Sequence, residues 1–219
     1  TFGDEHEDFF MGTQDLEKDL IKICAEEIFA AEPGSYDGYV ASGGTEANIE
    51  ALWIYRNYFI NEFSASPKEI ALIYSEDTHY SLSKGSDLLG LHNIVLNVDP
   101  ENREILISDL EKKLETALLK GFKYFILNLN MSTTMFGSVD DIDKITYLLN
   151  LLKINYKLHV DGAYGGFIYP FTATNSSFTF QNPDVTSFSI DGHKMLQAPY
   201  GTGIFLIRKN FLKYVCTNE

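Results

Sequence analysis

Ser187, Ser189 and Asp191 alternate with Phe188 and Ile190, and His193 and Lys194 follow at once after Gly192. The alternation is that of a strand with one apolar face. A strand that simply reaches the surface would hand its last charges to water. A lysine set in a partly desolvated pocket behaves differently: it loses proton affinity and becomes an amine nucleophile, the usual basis of Schiff-base chemistry.

Four other stretches carry chemistry-bearing residues. In ASGGTEAN, residues 41–48, Gly43 and Gly44 let the backbone approach a ligand closely, and Thr45 brings a hydroxyl to a helix start. Free N–H groups and the helix dipole favour a phosphate there. With neither G-x-G-x-x-G after a strand nor G-K-[ST], a single phosphate fits better than a nucleotide; the same glycines also serve as plain turn punctuation. His79 in SEDTHYSLSKG can act as acid, base or flat stacking surface, or lie idle at the surface, and no second histidine or cysteine stands at metal-ligand spacing. Ser132, Thr133 and Thr134 follow an apolar run, where their hydroxyls can bond a ligand or their own turn. Asp161 ends another apolar run and precedes Gly162, Ala163, Gly165 and Gly166. A buried carboxylate is costly without a cation or several donors. A cationic ring nitrogen lying flat in the space left by small residues satisfies it, as does a helix cap or an internal ion pair.

The elements that must position these residues follow from periodicity. TQDLEKDLIKICAEEIFA carries Leu16, Leu20, Ile23, Cys24 and Ile28 at helical spacing. SYDGYVASGG reads as a turn-rich entry into the helix TEANIEALWIYRNYF. The strands EIALIYSE, NIVLNVD, KYFILNLN, KLHVDGA, VTSFSID and GTGIFLIRK then alternate with helices, two of which are expected to open on capping boxes at Ser108/Glu111 and Ser138/Asp141. This order predicts an α/β fold, a mostly parallel sheet with helices on both faces. In such sheets ligands bind beyond the carboxyl ends of the strands, where the candidate residues fall.

Composition narrows the partners. Lysine and arginine number 17 against 31 acids, a formal charge of −14, so nucleic acid and anionic membrane are excluded as expected partners. The cysteines, Cys24 and Cys216, make no disulfide framework, and Cys24 reads as a small core residue. With no membrane-length apolar run and no visible leader, the cytoplasm is the expected compartment.

A phosphate seat, a flat histidine, an aspartate in a small-residue niche and an amine lysine together describe a pocket for pyridoxal 5'-phosphate. The motifs SGGTEAN, DTHYS, VDGAYGG and SIDGHKM, in this order, also resemble those of the group II pyridoxal-phosphate-dependent amino-acid decarboxylases, which include the aromatic amino-acid, histidine and glutamate decarboxylases. The resemblance covers nearly the whole chain. It implies the large domain of the aspartate-aminotransferase-like fold (fold type I) over residues 1–219, with the C-terminal small domain absent from this chain. It implies Lys194 as the Schiff-base lysine, Asp161 as partner of the pyridinium nitrogen, His79 stacked on the ring and Ala163 against its other face. Gly44, Thr45, Ser189 and His193 would hold the phosphate, and Thr133 would reach the ring or its oxygen substituent. Asp191 stands where relatives vary and is given no role.

The implied activity is decarboxylation of an L-amino acid to an amine and carbon dioxide, in a homodimer. The alternatives are a carbon–carbon lyase of the sphingosine-phosphate lyase type and a non-catalytic cofactor-binding module. A dinucleotide-binding domain lacks its glycine fingerprint. Nothing in the sequence selects the substrate side chain.

Overall fold

In the computed structural model, residues 11–172 and 176–215 are described. Cys216 lies outside them. The strands are β1 (Tyr36–Ala41), β2 (Ile70–Ser75), β3 (His92–Leu96), β4 (Tyr124–Asn130), β5 (Asn155–Asp161), β6 (Val185–Asp191) and β7 (Gly203–Arg208). They form one sheet in the order β1-β7-β6-β5-β4-β2-β3. β3, β2, β4, β5 and β6 run parallel, and β7 runs antiparallel to both its neighbours, β6 and the edge strand β1. The expected mostly parallel sheet is therefore observed. The chain winds outward from β2 to β3, then returns past β2 to β4, so the switch in winding direction lies between β2 and β4.

The helices are α1 (Met11–Lys22), α2 (Gly44–Phe63), α3 (Ser81–Leu89), α4 (Ile107–Leu119), α5 (Ile142–Leu151) and the short α6 (Tyr169–Thr172). Strand residues alternate between two cores, as a period of two requires. Ala71, Ile73, Phe125, Leu127, Leu129, Val160, Phe188 and Ile190 pack on one face with Leu110 and Leu114 of α4 and Ile145 and Leu149 of α5. Ile70, Leu72, Ile126, Phe205 and Ile207 face Ala51, Leu52, Tyr55 and Phe59 of α2 and Leu82 of α3. Under α2 the inner strands turn polar: Asn128, Asn130, His159, Asp161, Ser187, Ser189 and Asp191 are all buried. That stripe points toward the functional end of the sheet.

Four local expectations are corrected. SYDGYVASGG contains β1, an edge strand of mostly half-buried residues whose weak alternation conceals it. The helix expected to be capped by Ser108 begins two residues earlier, with Leu106 as its cap and no side-chain cap bond, and Asp109 in its first turn accepts from the Asn97 N–H at 2.8 Å and pairs with Lys113. At α5 the cap is Asp141, which accepts from the Lys144 N–H at 3.0 Å, while Ser138 bonds Thr133. The first amphipathic stretch is α1 followed by a π-helical turn over Ile23–Ile28. The wider turn shifts the buried face, so Leu16 and Ile23 are exposed while Ile21, Cys24 and Ala25 are buried. Burial pushes the Cys24 thiol up to about 12, an inert core residue as expected. Among the described residues no helix is long and apolar enough to cross a membrane.

Candidate active site

The carboxyl ends of β2, β4, β5 and β6 and the start of α2 surround a cavity of about 410 Å³. Its walls include Gly44, Thr45, His79, Thr133, Asp161, Ala163, His193 and Lys194. All the residues singled out by the sequence are therefore brought together except Ser189. The volume lies in the range of small-molecule sites.

Asp161 ends β5 and is buried. Its Oδ2 accepts from Asn48 Nδ2 at 2.8 Å, and its Oδ1 from the Ala163 N–H at 3.1 Å and from Ser189 Oγ at 3.4 Å. These donors satisfy part of the carboxylate and still leave acceptor capacity facing the cavity. Ser189 is fully buried one strand away, where its hydroxyl also donates to Asn48 Oδ1 at 2.7 Å. Its expected phosphate role is corrected on that ground: it steadies Asp161 and Asn48 from behind.

β6 ends at Asp191, and the turn after it carries His193 and Lys194. Lys194 Nζ lies 3.0 Å from Asp191 Oδ2, and His193 Nε2 3.7 Å from the same oxygen. Among the described residues Asp191 Oδ1 and His193 Nδ1 are buried and find no hydrogen-bond partner. Buried polar atoms are almost always satisfied, so this wall is built for a polar ligand. The adjoining helix start suits an anion, since the first N–H groups of an α-helix have no partner within it. A Cβ on Gly44 would lie 3.0 Å from both Ala163 Cβ and Asp191 Oδ2, so a larger residue would crowd this wall and glycine eases the close approach of α2.

His79 sits beyond β2, half-buried, with its Nδ1 2.9 Å from Ser81 Oγ. Burial, helped by the charge of Lys194, holds its pKa below the usual imidazole range, although Asp161 and Asp191 oppose the shift. Thr133 is buried at the cavity wall; its hydroxyl shares a 2.7 Å hydrogen bond with Ser138. The preceding Ser132 adopts a left-handed backbone, φ 73°, as strained residues at functional sites often do.

The sequence reading missed several wall residues. Asn48 stood inside the quoted motif without a role, and Asn130 sat unremarked at the end of β4. Tyr80, Tyr164 and Tyr200 add aromatic surface at the wall. Only the position just past a strand or helix start could have marked them. Among the described residues no cluster of potential metal ligands is found.

The model of the pyridoxal-dependent decarboxylase conserved domain matches residues 14–216. Over 216 residues, 99% of this chain and 52% of the relative, the sequence is 49% identical to a tryptophan decarboxylase of Clostridium sporogenes. A histidine decarboxylase of Acinetobacter baumannii is 32% identical over 94% of this chain and 51% of its own length. The glutamate decarboxylase domain of a Vibrio parahaemolyticus diaminobutyrate-pyruvate transaminase and L-2,4-diaminobutyrate decarboxylase superposes with a TM-score of 0.83 at 21% identity, covering 96% of this chain and 47% of that one. That likeness shows the shared fold. The chain spans about half the length of the curated relatives it matches. With a family match over most of its length, the chain belongs to the pyridoxal-dependent decarboxylases.

Proposed function

We propose that this chain is the cofactor-binding large domain of an amino-acid decarboxylase that converts an aromatic L-amino acid, of the tryptophan class, to its amine and carbon dioxide. The observation that carries the reading is the single cavity shared by Lys194, Asp161 and His79, whose wall holds buried polar atoms without partners. The aromatic preference is supported by the tyrosines at the wall and by the 49% identical tryptophan decarboxylase.

Pyridoxal phosphate, when bound, supplies the electron sink that accepts the electron pair left at Cα as carbon dioxide departs. Lys194 is the amine for the cofactor's aldehyde carbon, and its ion pair with Asp191 must open for that nitrogen to react. Asp161 holds positive charge at the pyridine nitrogen, electrostatic help of the kind that contributes most to many enzymes. His79 would cover one ring face and Ala163 the other. Gly44, Thr45 and His193 would seat the phosphate, and Thr133 would reach the ring's oxygen substituent. Ser189 steadies Asn48, which in turn donates to the Asp161 carboxylate.

A C-terminal small domain outside this chain would complete the subunit. A second copy would cover the mouth of the cavity, where Tyr200 is 93% exposed and Met135 and Phe136, next to Thr134, are 82% and 58% exposed. Such apolar rims mark interaction surfaces and favour a homodimer. The cytoplasm suits its acidic charge and its free buried thiol.

The test is the full-length subunit incubated with pyridoxal phosphate and a panel of amino acids. The expected result is a visible absorption band, lost in Lys194→Ala, together with carbon dioxide release fastest from tryptophan. A band that no amino acid perturbs would instead support the binding module, and aldehyde release without carbon dioxide the carbon–carbon lyase.

A further inference from the structure

Asn48, in the second turn of α2, lies over the polar ends of β5 and β6 and is buried. Its side chain is engaged on every side. Nδ2 donates to Asp161 Oδ2 at 2.8 Å and to Ser81 Oγ at 2.9 Å. Oδ1 accepts from Ser189 Oγ at 2.7 Å and faces His159 Nε2 at 2.9 Å. An ionised carboxylate can only accept, so Asp161 dictates which way the amide points.

Every further bond then has a fixed direction. Ser81 Oγ already accepts from Asn48, so its one proton goes to His79 Nδ1, 2.9 Å away. The Ser81 backbone N–H also donates to Nδ1, at 3.3 Å. On the other side His159 Nε2–H donates to Asn48, leaving Nδ1 to accept from Ser187 Oγ at 2.6 Å, and Ser187 in turn accepts from the Tyr55 hydroxyl. Burial favours the neutral form of both rings, His159 being held down at about 4. In a neutral imidazole, an acceptor at one nitrogen places the proton on the other.

We propose that Asn48 is a positioning residue which, oriented by Asp161, selects the Nε2–H tautomer of His79. Its consequence for catalysis rests on the decarboxylase reading. Nε2 makes no hydrogen bond to the described residues, so its proton is free to hold a carboxylate or phenolic oxygen of whatever lies against His79. The opposite tautomer would set a lone pair against that oxygen instead.

Substitution Asn48→Asp tests the direction of the chain. An amide nitrogen has two hydrogens, one for Asp161 and one for Ser81, whereas a carboxyl group shared with Asp161 has at most one, and Asp161 takes it. Ser81 must then donate toward position 48 and accept from His79, so the proton moves to Nδ1. The readout is nitrogen-15 NMR of the full chain labelled at histidine, near neutral pH and without cofactor. In the unsubstituted protein both His79 and His159 are expected with Nδ1 bare and Nε2 protonated. In Asn48→Asp the His79 Nδ1 resonance is expected to shift to the protonated range, and adding Ser81→Ala should return the proton to Nε2. A bare Nδ1 in folded Asn48→Asp would overturn the proposal. Should that variant not fold, the unsubstituted spectrum decides, since Nδ1–H on either ring contradicts the chain and Nε2–H on both supports it. Failure to bind pyridoxal phosphate would remove the decarboxylase reading and leave these spectra unchanged.

Discussion

Asp161 and Asp191 end neighbouring parallel strands, both buried, both at the same cavity, yet their surroundings differ. Around Asp161 each carboxylate oxygen is bonded, and Asn48, Ser189, His159 and Ser81 are tied into one network behind it. Around Asp191, among the described residues, one oxygen and a neighbouring histidine nitrogen have no hydrogen-bond partner, and the other oxygen faces Lys194 at 3.0 Å and His193 at 3.7 Å. A satisfied polar cluster stabilises the fold before any ligand arrives. An unsatisfied one is destabilising until a ligand supplies the missing bonds. The β5 side is thus scaffold and the β6 side is receptor.

The largest effect expected is on the receptor side. Lys194→Ala should abolish the cofactor's visible band and reduce carbon dioxide release by at least about 10³-fold, as loss of a nucleophile does. Lys194 is partly exposed, but its loss leaves the buried Asp191 carboxylate without a cation, so a modest fall in stability is expected. A large fall in melting temperature would blur the comparison.

Asp161→Ala should combine both kinds of loss. One Asn48 Nδ2 hydrogen and the Ala163 N–H would be left without an acceptor, at a cost of about 1–3 kcal/mol in urea unfolding. Turnover should fall about 10²-fold or more, the scale for losing one electrostatic contact to the reacting group. Unchanged stability would contradict the scaffold reading.

His193→Ala should weaken pyridoxal phosphate binding by about tenfold, one charged hydrogen bond, with unfolding free energy nearly unchanged. Titration of the cofactor against the absorption band measures it. A protein that loses stability but not affinity would reverse the assignment.

The smallest effect is a pH dependence. His159, held at about 4 when folded and titrating near 6.5 when unfolded, makes stability rise with pH across that window, because the unfolded chain binds the extra proton there. Asp140, raised to about 7 by burial, acts in the opposite sense: the folded chain keeps a proton that the unfolded chain has lost, so stability falls as pH rises from about 3.8 to 7. The two largely cancel between pH 4 and 6.5. Asp140→Asn should remove one slope, leaving a protein that is measurably less stable at pH 5 than at pH 7 in urea titrations.

Much of this was legible in the letters. The strands from β2 to β7 were readable because apolar runs and alternation survive burial on both faces, and the filter of strand ends picked out His79, Thr133, Asp161, His193 and Lys194. β1 was not, because an edge strand with Gly38 and few buried residues has no strong period. The first helix misled for a related reason: a π-turn changes the phase of the buried face without changing composition. Ser189 was placed on the right strand and at the right end, but a period of two says which face a residue takes, not whether a ligand or another side chain waits there.

The sequence by itself determined the order of the elements, the alternation that makes a two-faced sheet, and the residue types gathered at its carboxyl end. These are local consequences of backbone geometry and hydrophobic spacing. Only the tertiary structure decided that Asn48 of α2 lies over Asp161, 113 residues along the chain, and that the Asp191 oxygen beside it is left bare. Hydrogen-bond satisfaction is a property of groups in space, and no spacing along a chain encodes which distant partner will fill the last lone pair.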